Sequence, residues 1–184
     1  MKKNFNPRIK ARLRKNRQVL SKNIDNFFGW VKGAKLVELI ECNTKEDPVR
    51  PELDNKFRTG YGRKIFGVEY KGEIYAVMCF AYTNEIPKSV EELEKLSTDA
   101  FLQTAMRDQA GGQIAIAYTV WSKKKGGGKL IVKEVFKKIK KSNHLNRLIT
   151  LSPLTEMATN FHERNGAKLI QINETTQNFE YKVM

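Results

Sequence analysis

The segment Gln113–Leu130 reads QIAIAYTVWSKKKGGGKL and indicates the fold of this 184-residue chain. Its first part, Gln113–Ser122, is rich in apolar and β-branched residues, which is typical of a buried strand. Three glycines, Gly126–Gly128, end that pattern, and apolar residues then recur at helical spacing from Leu130 to Ile139. The segment therefore predicts a strand, a glycine turn and a helix, in that order.

The glycine turn has the composition of a phosphate-binding loop. Backbone N–H groups can approach an anion closely where no Cβ intervenes, and a helix N-terminus adds partial positive charge. Three lysines, Lys123–Lys125, add further charge directly before the turn. A flexible strand-to-helix loop is the alternative interpretation of three adjacent glycines. The periodic helix and the lysines favour phosphate binding.

The composition indicates a globular protein with a negatively charged partner. The length fits a single domain over residues 1–184, and an apolar share of 40% supports a globular fold. The net charge of +14 favours a polyanionic partner: nucleic acid, an acidic protein or a phosphorylated cofactor. The two cysteines and two histidines are scattered, so they give neither a disulfide framework nor zinc-ligand spacing.

Two absences in the sequence predict where the protein resides. The N-terminus lacks the apolar region of a signal peptide, and no apolar run is long enough to span a membrane. Scattered cysteines also suit a reducing compartment. We therefore expect a soluble, cytoplasmic protein without a membrane partner.

A basic helix is predicted at the N-terminus, over Pro7–Lys32, from an apolar stripe at spacings of three, four and seven. Its first half carries six residues that we call the basic arm: Arg8, Lys10, Arg12, Arg14, Lys15 and Arg17. Two interpretations stay open for the basic arm, a solvated face and a nucleic-acid contact.

The rest of the chain alternates strands and helices. Two apolar runs, Arg63–Tyr70 and Glu73–Thr83, flank Lys71-Gly72 and predict a β-hairpin. Ser152-Pro153 predicts a helix start, with Ser152 as its cap. The other predicted elements are a strand at Ala34–Cys42, a polar loop at Asn43–Lys56, a glycine turn at Phe57–Gly62, helices at Val90–Leu102, 127–142 and Thr155–Asn165, and strands at Arg147–Leu151, Ala167–Asn173 and Asn178–Val183.

This order predicts an α/β fold of the α+β type, with a twisted mixed sheet and helices on both of its faces. The strands 113–122 and 147–151 are expected to form a parallel pair that separates near Trp121.

Two motifs make the chain resemble the GNAT family, the acyl-CoA-dependent N-acyltransferases. The family's pyrophosphate motif is Gln/Arg-x-x-Gly-x-Gly/Ala, and Lys123, Gly126 and Gly128 stand at that spacing, with lysine in the first place. The family's next helix often reads Asn-x-x-Ala-x-x-Leu-Tyr-Glu-Lys-x-Gly-Phe. The matching positions here are Thr155, Ala158, Phe161, His162, Glu163, Arg164, Gly166 and Ala167. The resemblance is best over 113–183 and rests on element order before that.

The resemblance implies an acyl-CoA site, with acetyl-CoA or another acyl-CoA as cofactor. The backbone of the fourth strand would pair with the pantetheine amides, the glycine turn would bind the pyrophosphate, and the lysines would add charge. The residues in these places are Val120, Trp121, Ser122, Lys123, Lys124, Lys125, Gly126, Gly127, Gly128 and Lys129.

Two residues are candidates for catalysis. His162 replaces the tyrosine that often serves the family as general acid to the leaving thiolate, and imidazole can act as an acid near neutral pH. Tyr118 on the central strand is the second candidate, with a core or pocket-wall role as its alternative. Glu69 and Glu73 could act as base through water, and spacing selects neither.

Two shorter resemblances complete the comparison. Ser152-Pro153 resembles, over a short stretch, the acyltransferase-like catalytic domain of malonyl-CoA decarboxylase. The ending Asn173–Tyr181, NETTQNFEY, is similar to small GNAT-like proteins of bacteriophages, which would place the chain in a host cytoplasm.

The sequence thus predicts an acyl-CoA-dependent N-acyltransferase, transferring acetyl to an amine on an unidentified acceptor. The alternative is a non-catalytic GNAT-like module that binds nucleic acid or a protein through its N-terminal helix. Sequence does not determine the acceptor or the oligomeric state.

Overall fold

A computed structural model describes residues 15, 29–30, 32–107 and 112–182, without the side chains of 105–107. The chain divides into two compact units, Met1–Ala34 and Lys35–Met184. In the first unit Lys15 is helical and exposed, and the other described residues before Ala34 are also helical. The remainder of the predicted N-terminal helix and of the basic arm lies outside the described residues. One domain over 1–184 stays a prediction.

The second unit is a mixed α/β structure. Its strands are β1 (Lys35–Leu39), β2 (Lys64–Tyr70), β3 (Glu73–Thr83), β4 (Ile114–Ser122), β5 (Arg147–Thr150), β6 (Ser152–Pro153), β7 (Ala167–Ile172) and β8 (Thr176–Tyr181). Its helices are α1 (Asn55–Thr59), α2 (Val90–Arg107), α3 (Gly127–Lys140) and α4 (Glu156–Arg164), with a short 3-10 helix at Thr44–Glu46.

One sheet contains all eight strands. The order is β1-β2-β3-β4-β5-β8-β6, and β7 pairs with β8. Only β4 and β5 are parallel, and their register runs from Ile114 opposite Arg147 to Ala117 opposite Thr150. The predicted mixed sheet, its hairpin and its parallel pair are confirmed.

Helices cover both faces of the sheet, as predicted. Leu93 of α2 packs in one core with Cys79 and Ile116. Lys138 of α3 lies over the ring of Phe66 on the opposite face, 5.2 Å from its centroid. No helix among the residues that the structure describes is long and apolar enough to cross a membrane.

Three predicted elements were wrong in type or extent. The glycine turn predicted at Phe57–Gly62 contains a helix, α1, because the Asp54 side chain accepts a hydrogen bond from Phe57 N at 2.7 Å and caps it. The helix α2 continues to Arg107 because Gln103–Arg107 contains no glycine or proline to end it.

The third error is at Ser152-Pro153, which begins no helix. These two residues pair with Gln177 and Thr176 as the strand β6. Thr155 caps α4 instead, with its side chain accepting from Ala158 N. Ser152 is therefore an extended residue whose hydroxyl is directed to a side-chain partner.

Candidate active site

The parallel strands β4 and β5 separate early and leave a fork in the sheet. Their last cross-strand hydrogen bond runs from Leu151 N to Ala117 O, at 2.9 Å. Beyond it, residues 119–122 pair with β3 on one side and, within the described chain, with no strand on the other. The separation was predicted near Trp121, but it begins at Tyr118, three residues earlier.

A β-bulge at Tyr118 shapes this end of β4. Ala117 lies opposite Phe80 and Thr119 lies opposite Cys79, so Tyr118 is an extra residue on its strand. Bulges bend a strand and leave one residue unpaired. The carbonyl of Tyr118 accepts instead from the guanidinium of Arg50.

The fork opens into a cavity of about 350 Å³ that we call the fork cavity. Its walls come from the loop 46–49, from residues 117–123, from the first turn of α3, from β5 and β6, and from α4. Most of the lining is apolar, and the polar side chains Ser152 and His162 lie in its wall. A narrow apolar space with few polar groups is typical of a ligand site.

The glycine turn lies at one end of the fork cavity. Gly126 has φ of 85°, a left-handed conformation that favours glycine, and it begins α3 without a side-chain cap. In the described chain the N–H groups of Gly128 and Lys129 have no acceptor. A Cβ on Gly128 would lie 3.0 Å from the ring of Phe161, so a side chain at this position would push against that ring.

The three lysines before this turn have different surroundings. Lys123 forms an ion pair with Glu46 at 2.8 Å and lines the fork cavity. Lys124 lies over the rings of Tyr70 and Tyr75, at 5.2 and 4.8 Å from their centroids. Lys125 is exposed in the turn itself. Of these three, Lys123 is the one that reaches the cavity wall.

Ser152 and His162 form a buried polar pair in the cavity wall. Ser152 Oγ lies 2.7 Å from His162 Nε2, and His162 Nδ1 lies 3.0 Å from the hydroxyl of Tyr181. Ser152 Oγ is also 3.1 Å from Thr150 Oγ1. The imidazole stacks on Phe179, with ring centroids 5.0 Å apart. Both ring nitrogens therefore have a hydroxyl partner, and packing fixes the ring.

Burial changes the acid–base behaviour of this pair. It lowers the pKa of His162 from 6.5 to about 4, because the charged imidazolium would lose its hydration. Burial likewise raises the pKa of Tyr181. The imidazole is thus neutral near neutral pH and can accept a proton. The expected role of His162 as general acid stays a prediction.

Tyr118 is a core residue in this structure. Its ring packs edge-on against Phe57 with centroids 5.9 Å apart, and burial raises its pKa well above the usual value. Its hydroxyl has no hydrogen-bond partner among the described residues. This environment fits the core alternative. Glu69 and Glu73 lie on the hairpin strands and do not line the fork cavity.

Comparison with known proteins tests the fold. No protein-family model matches this sequence, and no curated protein sequence matches it. The GNAT-like decarboxylase GphF, solved in complex with isobutyryl-CoA, aligns with a TM-score of 0.63 at 9% identity, over 82% of this chain and 100% of its own. The chain has a GNAT-like fold.

Two further structures agree with the GNAT-like fold. The loading GNATL domain of CurA from Lyngbya majuscula has a TM-score of 0.57 at 12% identity, over 82% of this chain and 98% of its own. A Bacillus subtilis acetyltransferase in complex with CoA has a TM-score of 0.55 at 12% identity, over 82% of this chain and 99% of its own. The resemblance predicted from the two motifs is confirmed at the level of fold.

Within the GNAT-like fold, the structure brings together part of the predicted site. Val120, Trp121, Ser122, Lys123 and Gly128 all line the fork cavity, and so does His162 on its other wall. Whether these residues bind a cofactor stays a prediction, as does the resemblance of the chain's ending to phage proteins.

Sequence reasoning missed two members of the polar cluster. Ser152 was interpreted as a helix cap, although its short resemblance to a decarboxylase domain was a signal for chemistry. Tyr181 lies on the last strand, and only the pairing of β5 with β8 brings it near His162, since Leu148 lies opposite Tyr181.

Proposed function

We propose that this chain is an acyl-CoA-dependent acyltransferase that acts on an amine, with Ser152 and His162 at the reacting position. The observation that carries the proposal is the 2.7 Å contact between Ser152 Oγ and His162 Nε2 inside the fork cavity. A neutral imidazole bonded to a hydroxyl is the arrangement that general-base chemistry needs.

The site fits an acyl-CoA. The first turn of α3 offers the unpaired N–H groups of Gly128 and Lys129 to a pyrophosphate, in a position where a side chain would collide with Phe161. The edge of residues 119–122, which pairs with no further strand of the described chain, offers backbone groups to the amides of a pantetheine arm. Two proteins of similar fold were solved with CoA or an acyl-CoA bound. Acetyl-CoA is the simplest donor.

In the proposed reaction one proton moves from the amine to the departing sulfur. The amine nitrogen bonds to the thioester carbonyl carbon, the carbon–sulfur bond breaks, the amine gives up a proton, and CoA leaves as the thiol. His162 Nε2 receives the amine proton through the Ser152 hydroxyl, while its Nδ1–H donates to Tyr181. The proton then reaches the departing sulfur by the same hydroxyl.

A second reaction is favoured by a specific observation, the neutrality of the whole Ser152–His162–Tyr181 cluster in an apolar cavity. Loss of carbon dioxide from a carboxylated acyl-CoA needs no amine and no carboxylate base, and the α carbon takes up one proton. The hydroxyl of Ser152 can deliver that proton. GphF, a GNAT-like decarboxylase, shares the fold.

The test compares both reactions in one assay. Acetyl-CoA with a panel of amines, and malonyl-CoA alone, are incubated with the wild type, Ser152→Ala and His162→Gln, and CoA thiol and product masses are measured. We expect each substitution to lower turnover about a hundredfold or more while CoA affinity changes little. Ser142→Ala, at a serine that does not line the fork cavity, is the matched control.

Two results would overturn the proposal. One is full turnover by Ser152→Ala. The other is a wild type without CoA affinity at millimolar concentration in calorimetry. The second result would favour a non-catalytic module that binds nucleic acid or protein through the basic arm.

A further inference from the structure

The two cysteines of this chain are distant in the sequence but lie together in the structure. Leu39 of β1 lies opposite Ile65 of β2, and Ile65 lies opposite Cys79 of β3, so these residues form one row across the sheet. Cys42 follows Leu39 by three residues and packs, half-buried, against the hydrophobic cluster that contains Cys79. The fold therefore brings both thiols to the face of the sheet that α2 covers.

One turn of the helix α1 contacts both sulfur atoms. Asn55 Oδ1 accepts from the backbone N–H of Cys42 at 2.9 Å and lies 3.5 Å from its Sγ, and Asn55 Nδ2 donates to the carbonyl of Cys42 at 3.0 Å. Three residues later, Arg58 Nη1 lies 3.3 Å from Cys79 Sγ. Residues three apart are neighbours on the surface of a helix. The two thiols are thus held against the same face of one helical turn.

The two thiols also interact with each other. A hydrogen bond with the Cys79 thiol lowers the pKa of Cys42, and the positive charge of Arg58 adds to this effect. Partial burial and the carboxylates of Glu46 and of Asp47, the ion-pair partner of Arg58, oppose the shift without cancelling it. Burial raises the pKa of Cys79 well above its usual value. Cys42 is therefore the thiol that ionises more readily, and it has a second thiol within hydrogen-bonding contact.

Cys42 is also the thiol that a small oxidant can reach. It lines a cavity of about 140 Å³, which we call the thiol cavity, and the exposed residues Glu41 and Asn43 lie at its rim. Cys79 is fully buried and does not line this cavity. A partly exposed thiol with a lowered pKa and a second thiol beside it is typical of a redox-sensing site, whereas a buried thiol alone is inert.

We propose that Cys42 is a site of oxidation by hydroperoxides and that Cys79 then closes a reversible disulfide with it. The inference does not depend on the proposed function, because neither thiol lines the fork cavity. A transient disulfide of this kind is compatible with a reducing compartment.

The oxidation has two steps. In the first step the Cys42 sulfur attacks the O–O bond of the peroxide and keeps one oxygen as a sulfenic acid, while the other oxygen takes the thiol proton and leaves as water or an alcohol. In the second step the Cys79 sulfur attacks the sulfenic sulfur, an S–S bond forms, and the hydroxyl leaves with the Cys79 proton as water. The peroxide gains the two electrons that the thiols lose, and a dithiol reductant restores both thiols.

The experiment treats the reduced full chain with a small molar excess of hydrogen peroxide near neutral pH. Intact mass, thiol titration in denaturant and peptide mapping follow the reaction. The chain has two cysteines, so a disulfide within one molecule has a single possible connectivity. We expect both thiols to disappear from the titration, the intact mass to fall by two hydrogens, a linked peptide to contain Cys42 and Cys79, and dithiothreitol to reverse all three changes.

The variants assign the two roles. Cys79→Ala is expected to stop at the sulfenic acid of Cys42, which dimedone traps. Cys42→Ser is expected to consume peroxide at least about tenfold more slowly than the wild type, since its remaining thiol is buried. Asn43→Ser, at the rim of the thiol cavity, is the matched control and keeps the wild-type rate. Thermal melting reports the folding of each variant, and Cys79→Ser preserves the test should Cys79→Ala unfold.

Three results would overturn the inference. They are retention of both thiols under conditions that oxidise a cysteine peptide, a sulfinic acid on Cys42 of the wild type without a linked peptide, and a disulfide found between two chains instead of within one. Calorimetry of CoA with the reduced protein tests the proposed function separately, so the failure of one proposal is distinguishable from the failure of the other.

Discussion

Protonation of His162 is expected to destabilise the folded protein. Burial lowers the pKa of this imidazole from 6.5 to about 4, so the unfolded chain binds a proton between these values and the folded chain does not. The stabilising effect of the neutral histidine is complete above about pH 6.5 and falls as the pH is lowered towards 4. Below about pH 4 no further loss occurs.

The size of the effect follows from the shift. A difference of one pKa unit corresponds to about 1.4 kcal/mol, so a shift from 6.5 to about 4 contributes about 3 kcal/mol to the free energy of unfolding. His162 is only 5% exposed, so solvent screening reduces this value little. Unfolding takes up about one proton per molecule between the two pKa values of His162, so the loss of stability is spread over that interval.

Urea unfolding at pH 7.5, 6.5, 5.5 and 4.5 measures the effect in the wild type and in His162→Gln. Glutamine keeps the polar contacts of the ring position but does not titrate. We expect His162→Gln to be the less stable protein at pH 7.5 and the difference to shrink by about 2.5 kcal/mol at pH 4.5, since part of the loss occurs only below that pH. Carboxylates elsewhere in the chain that titrate over this range contribute equally to both proteins and cancel. Parallel pH profiles for the two proteins would refute the reasoning.

Three further predictions concern the cofactor turn, the loop and the N-terminus. Gly128→Val is expected to weaken CoA binding about tenfold or more in calorimetry, because its side chain meets the ring of Phe161. Gly72→Asn, in the open hairpin turn, is expected to leave the affinity unchanged. Equal CoA affinities of the two variants would contradict phosphate binding by the glycine turn. Arg58→Met is expected to lower the free energy of unfolding in urea by about 3–5 kcal/mol, because it leaves the buried carboxylate of Asp47 unpaired. The loss is expected to be smaller when Asp47→Asn is added. A loss under about 1 kcal/mol for Arg58→Met would contradict a stabilising role of the ion pair. Replacing the basic arm by glutamines is expected to abolish salt-sensitive retention on a DNA or RNA column without changing CoA affinity; equal retention of both proteins at low salt would exclude the arm as the contact.

The elements with strong patterns were predictable from the sequence. The order of strand, glycine turn and helix at Gln113–Leu130 depends on local composition, and the structure has it within one residue at the start of β4 and of α3. The hairpin was equally local. Together these elements, with the spacing of Lys123, Gly126 and Gly128, were enough to indicate the fold.

Features that depend on distant contacts were not predictable. The short helix α1 forms because Asp54 caps it, a signal that the nearby glycines obscured. Ser152 and Tyr181 meet His162 only because β8 pairs with both β5 and β6. The pKa of His162 depends on burial between Phe179 and Phe161, which no local pattern shows. The site was therefore half predicted: its glycine turn came from the sequence and its acid–base pair from the structure.

The extra residue at Tyr118 has a consequence for the evolution and engineering of β4. In a regular strand, Val120 would follow Ile114, Ile116 and Tyr118 on the core face of the sheet. In this structure Trp121 lies in that core instead. One inserted residue thus changes the phase of everything after it. A deletion of Tyr118 would remove the bulge and leave Thr119, Val120 and Trp121 opposite Cys79, Met78 and Val77, on the faces they have now. A loss of one residue at the bulge therefore keeps the wall residues after it in phase with β3, whereas a change of length between Thr119 and Ser122 would turn the residues beyond it to the other face of the sheet.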